Sequence, residues 1–281
     1  MFRTVSAHDY FEQQYALRKS LPSFGADVAE WEALSADAHF AGHGFQVERF
    51  GDHPRQTLEL FKARPGEQGR GLAVFLHGGF WRAMERQQFR FMATPFLKRG
   101  FDCAIAEYRL MPGFRLADLV DDAVAGVAFL SANAERLKLI APTLIAGHSA
   151  GAHLALYATM SARQQGFAWD ETPLLLLSGV FDIHDVARTS LGGETAITPE
   201  EVAAWSITSG AALGSSQKAV FVVGGAETEG FQRQTLFGAQ QLCREGEDEV
   251  IIVDGANHLT LLTEFARSAA LSDALLARLG L

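Results

Sequence analysis

Gly147-His148-Ser149-Ala150-Gly151 follows the apolar run Thr143–Ala146 and precedes the helix-like stretch Ala152–Met160. Strand, tight turn and helix in that order predict that Ser149 sits on a sharp elbow with its hydroxyl presented rather than packed. The glycines two residues to either side suit such an elbow, because a Cβ there would clash where strand and helix close on each other.

Upstream, Gly71–Leu76 reads as a buried strand running into His77-Gly78-Gly79-Phe80-Trp81. In serine hydrolases of the α/β type, a His-Gly-Gly segment after the third strand turns backbone N–H groups toward a developing oxyanion. Glycine lets a substrate carbonyl come close to the main chain. The expected donors are the N–H groups of Gly78 or Gly79, with that of Ala150 just after the serine.

The chain has 281 residues, 48% of them hydrophobic and 20% charged, with a net charge of −9. That length suits one α/β domain over residues 1–281. The acidic balance argues against nucleic acid or an anionic membrane as partner, leaving a small-molecule substrate. A homodimer is compatible with the sequence. The two cysteines, Cys103 and Cys243, read as unpaired thiols in a reducing compartment. The first residues lack the apolar core of a secretory signal, and no uncharged apolar stretch reaches spanning length, so the expected location is cytoplasmic. No His-Glu-x-x-His or phosphate-cradling glycine pattern occurs, so no metal or organic cofactor is expected.

From about residue 70, strand-like and helix-like segments alternate, the signature of a mostly parallel sheet flanked by helices. The strands read as Leu72–Leu76, Asp102–Glu107, Pro142–Ala146, Leu174–Leu177, Ala219–Val223 and Glu249–Val253. Phe45–Phe50 and Thr57–Lys62 flank a turn and read as an antiparallel hairpin at one edge, making eight strands. Leu116–Leu130 carries apolar residues at helical spacing with aspartates opposite. Phe231–Cys243 and Leu259–Leu281 read as further helices. Residues 182–214 break the alternation and read as a small lid, and residues 1–40 as a helical segment wrapped on the core or joining that lid.

A serine hydroxyl needs a base, and the base needs a partner that fixes its tautomer. In this fold the chain order is Ser, then Asp or Glu, then His, on loops after later strands. The strand Glu249–Val253 ends in Asp254-Gly-Ala-Asn-His258, which makes His258 the base among nine histidines. His184 is the alternative; His77 reads as a structural hydrogen-bonder, His148 and His153 as packing groups, and His8, His39, His43 and His53 as surface residues. The acid after Ala219–Val223 is Glu227 or Glu229. Glu227 comes sooner after the strand and has two glycines freeing its turn. Asp254 and Asp182 are weaker rivals.

Together these stretches resemble the kynurenine formamidase (arylformamidase) branch of the α/β-hydrolases, near the hormone-sensitive-lipase-like esterases. The resemblance runs from Tyr15-Ala-Leu-Arg18 through His77-Gly-Gly-Phe-Trp81, Glu107-Tyr-Arg-Leu-Met-Pro112 and Gly147–His153. It continues through Ser178-Gly-Val-Phe-Asp182 and Gly225–Gln234 to Asn257-His258. It implies Ser149 as nucleophile, Glu227 as acid and His258 as base. The family often has aspartate where Glu227 stands and phenylalanine where Leu259 follows the histidine. The expected reaction is hydrolysis of N-formyl-L-kynurenine, with Phe80, Trp81 and Trp205 available to stack on an anilide ring. A short-acyl carboxylesterase is the second reading, and a non-catalytic ligand-binding scaffold the third.

Overall fold

The computed structural model describes residues 4, 6–36, 45–208, 211–243 and 250–281. Its centre is one eight-stranded sheet in the order β1-β2-β4-β3-β5-β6-β7-β8. The strands are β1 (Phe45–Arg49), β2 (Thr57–Phe61), β3 (Gly71–Leu76), β4 (Phe101–Ala106), β5 (Leu144–His148), β6 (Leu174–Leu177), β7 (Ala219–Gly224) and β8 (Val250–Val253). β1 pairs antiparallel with β2, and β2 with β4; every other pairing is parallel. The expected edge hairpin and mostly parallel sheet are both present. Residues 250–253 of the expected last strand form β8, whereas Glu249 lies outside the described residues, as do His39 and His43.

β3 to β6 are buried at every position and apolar apart from Asp102 in β4 and His148 at the end of β5, as strands covered on both faces must largely be. β5 starts two residues later than expected, because Pro142 has no N–H to give a ladder. Thr143 N–H still donates to the Leu72 carbonyl at 2.9 Å.

Helices cover the sheet. At the amino end lie α1 (Ala7–Tyr15), α2 (Leu17–Ser20) and α3 (Phe24–Ala36), broken at Leu21-Pro22-Ser23 as the proline requires. A 3-10 helix over Arg86–Ala93 leads into α4 (Thr94–Leu97), an arrangement that the sequence reading did not foresee. α5 (Leu116–Ala132) buries Leu116, Leu119, Val120, Ala123, Val127 and Leu130, the stripe expected from its spacing. Asp122, expected on the solvent side, is instead buried, where Arg109 Nε and Nη2 each donate to it at 2.8 Å. α6 (Ala150–Gln165) follows the elbow. The expected lid segment contains α7 (Ile183–Ala187), α8 (Ser190–Thr195) and α9 (Pro199–Trp205), and α10 (Glu229–Leu242) follows β7. The single helix expected over Leu259–Leu281 is two, α11 (Thr260–Arg267) and α12 (Ala269–Arg278). Ser268 separates them: its backbone is extended and its side chain accepts from Leu271 N–H, capping α12.

The parallel strands all point their carboxyl ends at the loops carrying Gly78, Ser149, Ser178, Glu227 and His258. That edge of a doubly covered sheet is where such folds hold ligands.

Candidate active site

The chain turns at Ser149 with φ 54° and ψ −121°, a conformation that costs an L residue of order 1–3 kcal/mol and persists only where the surroundings enforce it. They do so here. Ser149 N–H donates to the Leu177 carbonyl at 2.9 Å, tying the elbow to the end of β6. A Cβ on Gly147 would lie 2.2 Å from the Gly151 carbonyl oxygen, and one on Gly151 would lie 2.1 Å from that of Leu76. Both flanking glycines are therefore demanded by backbone contact. Ala150 opens α6, so its N–H has no partner one turn back and stands at the positive end of the helix dipole.

Glu227 reaches the base. Its Oε2 lies 2.8 Å from His258 Nδ1, while Oε1 accepts from Gly224 N–H at 2.8 Å and from the Ser178 hydroxyl. A carboxylate accepting at both oxygens requires the proton on Nδ1, which leaves Nε2 as the imidazole's free lone pair. Glu229, two residues on, is exposed; its carboxylate accepts from the Tyr10 hydroxyl at 3.4 Å. Asp182 caps α7 and pairs with the exposed His184 at 2.7 Å, away from Ser149. Asp254 is exposed on the loop after β8.

His258 is held from three sides. Its carbonyl accepts from His148 Nε2–H at 2.9 Å, and its ring lies 4.0 Å from that of Phe231. Asn257 accepts from Leu259 N–H and Thr260 N–H at 2.8 Å and donates to Asp27 at 3.0 Å, tying the loop to α3.

The Ser149 hydroxyl itself is buried and makes no hydrogen bond. The serine–histidine contact needed for proton transfer is thus not formed in this structure. Such contacts commonly tighten only when substrate is bound.

Opposite the serine, a Cβ on Gly78 would fall 3.2 Å from Ser149 Cβ. Gly79 has φ 119°, and a Cβ there would sit 2.2 Å from the Ala83 carbonyl oxygen, so only glycine fits. No described group accepts from the N–H of Gly78 or Gly79. His77 sets this loop. Its Nδ1 lies 2.7 Å from the Gly78 carbonyl, its Nε2 lies 2.7 Å from Glu107, and its ring stacks on Tyr108. With the Gly78 carbonyl turned to His77, the N–H of the same planar peptide unit, that of Gly79, points the other way. Burial pushes the Glu107 carboxyl up, but His77 and Arg55 outweigh it and hold it below its ordinary range.

A cavity of about 120 Å³ brings these parts together, lined among others by Gly78, Gly79, Phe80, His148, Ser149, His258 and Leu259. Ala16, Leu17, Phe24 and Trp31 of the amino-terminal helices form one wall, and Ser190, Leu191 and Glu194 of α8 another. A larger cavity of about 720 Å³ lies at the other end of β7, beside Ala219 and Val220. Its described lining holds no histidine, whereas the smaller cavity brings His258 and the strained Ser149 together, so the chemistry points to the smaller one.

Of the three expected stacking residues, Phe80 lines the cavity. Trp81 is 1% exposed and packs edge-on to His153, and Trp205 packs on Tyr157 while its carbonyl accepts from His153 Nε2–H at 2.8 Å. Neither tryptophan lines the site. The backbone explains Trp81: residues 80 and 81 both have positive φ, 50° and 60°, and the turn sends the second ring inward. Ser178, Trp31 and the His148 clamp were not singled out as site residues. Ser178 ends β6 beside the acid's loop, a position that could have suggested it; Trp31 has no sequence signal.

His153, fully buried, is pushed down to about 4 by burial, against the opposing hydrogen bond to Trp205; His148 lies well below its ordinary value for the same first reason, reinforced by His258. Below pH 6.5 the unfolded chain takes up protons that these folded imidazoles refuse, so stability falls with decreasing pH. For His153 the window runs from about 6.5 to 4 and is worth about 3 kcal/mol. Urea midpoints should drop steadily through that window, with a shallower slope in His153→Gln. A flat profile contradicts it.

A protein-family model described as BD-FAE matches residues 58–184. The hyperthermophilic esterase from the archaeon Pyrobaculum calidifontis superposes with a TM-score of 0.69 at 16% identity, covering 100% of this chain and 92% of that one. A kynurenine formamidase of Drosophila melanogaster is 27% identical over 169 residues, 58% of this chain and 52% of the fly protein. One of Danio rerio is 24% identical over 205 residues, 69% and 68% of the two chains. The chain has the α/β-hydrolase fold and is similar in sequence to kynurenine formamidases. The chain spans about half the length of the fly relative. Among its described residues no helix is long and apolar enough to cross a membrane, and no cluster of three His, Cys, Asp or Glu side chains could hold a metal.

Proposed function

We propose that the chain is a serine hydrolase that cleaves an aryl formamide, N-formyl-L-kynurenine to formate and L-kynurenine, in two acyl-transfer steps. The observation that carries this reading is the 2.8 Å contact of Glu227 with His258 Nδ1, in a cavity that His258 shares with the strained Ser149. His258 Nε2 takes the hydroxyl proton as Ser149 Oγ attacks the formyl carbon. The oxyanion is met by N–H groups of Gly78 or Gly79 and of Ala150. His258 then gives its proton to the departing arylamine. Water, activated by the same imidazole, releases formate from the serine. Glu227 stabilises the imidazolium formed in each step. No metal or organic cofactor enters this scheme.

The formamide is supported by the likeness to proteins named kynurenine formamidase. A short-acyl carboxylesterase is the second reading, favoured by the small cavity and by the esterase superposition. Steady-state turnover of N-formyl-L-kynurenine and p-nitrophenyl acetate separates them. The formamide should be the better substrate by kcat/KM; vigorous ester cleavage with no formamide cleavage would reject the first reading. If fluorophosphonate leaves Ser149 unlabelled, both give way to a ligand-binding scaffold.

A further inference from the structure

The exposed rim of the Ser149 cavity is basic, although the chain as a whole carries −9. Three cations stand there: Arg18, Lys19 and Arg82. Two are neutralised, since Lys19 pairs with Glu12 at 2.5 Å and Arg82 pairs with Glu194. Arg18 differs. Its guanidinium lies 5.6 Å from the centroid of the Phe24 ring, and no described carboxylate accepts from it. Three positive charges against two negative leave one unmatched, on a wall whose other members are Ala16, Leu17 and Phe24.

A planar guanidinium resting on an aromatic face is oriented but keeps its edge donors free, and those donors match a carboxylate two by two. The apolar wall lowers the local dielectric on one side, so an anion held there is screened less than at an open surface.

We infer that Arg18 recognises a carboxylate carried by the substrate's leaving group, away from the scissile carbonyl, making this an enzyme for acyl compounds whose leaving group bears a carboxylate. The inference rests on the hydrolase reading above and adds the charge of the substrate to it. While the formyl or short acyl group lies at Ser149, the charged end of the leaving group sits at the rim against Arg18. Lys19 and Arg82 stay committed to Glu12 and Glu194, so the selectivity resides in one side chain.

Two matched substrate pairs test this: N-formyl-L-kynurenine against its carboxamide, and 4-acetoxybenzoate against 4-acetoxybenzamide. Wild type, Arg18→Gln and Arg18→Lys are compared on both. Arg18→Gln should lower kcat/KM about tenfold for the carboxylate-bearing member of each cleaved pair, mainly through KM, and leave the amide member within about twofold. Arg18→Lys should recover part of the loss, as a point charge without the fork. Equal losses on both members, or none, overturn the inference. If both formamides resist cleavage while the esters turn over, the formamide reading fails and the ester pair still reports on Arg18. Should neither pair turn over, calorimetry of the two formamides with Ser149→Ala decides: equal affinities reject the role of Arg18, and tighter binding of the carboxylate that Arg18→Gln abolishes supports it.

Discussion

Ser149→Ala should abolish turnover of both formamide and ester substrates, by about 10⁴-fold or more in kcat, without loosening the fold. The second half of that expectation is specific to this structure. The Ser149 hydroxyl is buried and unpartnered, so removing it deletes no hydrogen bond and relieves a polar group of its desolvation cost. The backbone remains in its unusual conformation, which alanine tolerates as well as serine does, held by the bond to Leu177 and the crossing of Gly147 with Gly151. The thermal midpoint should therefore equal or slightly exceed that of the parent. Activity lost together with stability would mean that the serine is structural. Activity retained would remove it from the chemistry altogether.

Glu227→Gln should cost about 10³- to 10⁴-fold in kcat, and Glu229→Gln less than about twofold. The difference follows from what each carboxylate touches. Glu227 accepts at one oxygen from Gly224 N–H and the Ser178 hydroxyl, and at the other from His258. An amide can satisfy one side only. With its oxygen toward Gly224, its NH₂ faces Nδ1 and drives the imidazole's proton onto Nε2, where the base must be bare. Turned round, it opposes one N–H to another at Gly224, and a buried donor is left unpaired. Glu229 is exposed and loses only a long contact to Tyr10. Equal and small effects of the two substitutions would dissolve the pairing as a catalytic device.

Much of this arrangement was legible from residue order. β6 was readable because four leucines lie between Pro173 and Ser178, and α5 because its apolar residues recur at helical spacing. The elbow was readable because two glycines bracket a serine behind an apolar run. These are local signals, carried by a few neighbouring residues whose backbone demands do not depend on distant parts.

Other features had no local signal. The break at Ser268 sits among good helix formers, and only the capping geometry marks it. Between Glu227 and Glu229 the local signal was a preference only, from position after the strand; the turn that returns Gly224 N–H to Glu227 brings that carboxylate to the imidazole. Trp81 and Trp205 looked available for a substrate and are committed to packing, whereas Trp31, from a distant helix, forms part of the cavity wall.

The sequence alone therefore determined the layers of the fold, the sharp turn at residue 149 and the histidine after the last strand. Only the tertiary structure decided which glutamate stands behind that histidine, which aromatic rings face the cavity and which arginine at its rim pairs with no carboxylate among the described residues. The physical reason is range. A strand, a helix or a glycine-bound turn is imposed by contacts between near neighbours, but the direction of a side chain within a site depends on backbone crossings between segments far apart in the chain.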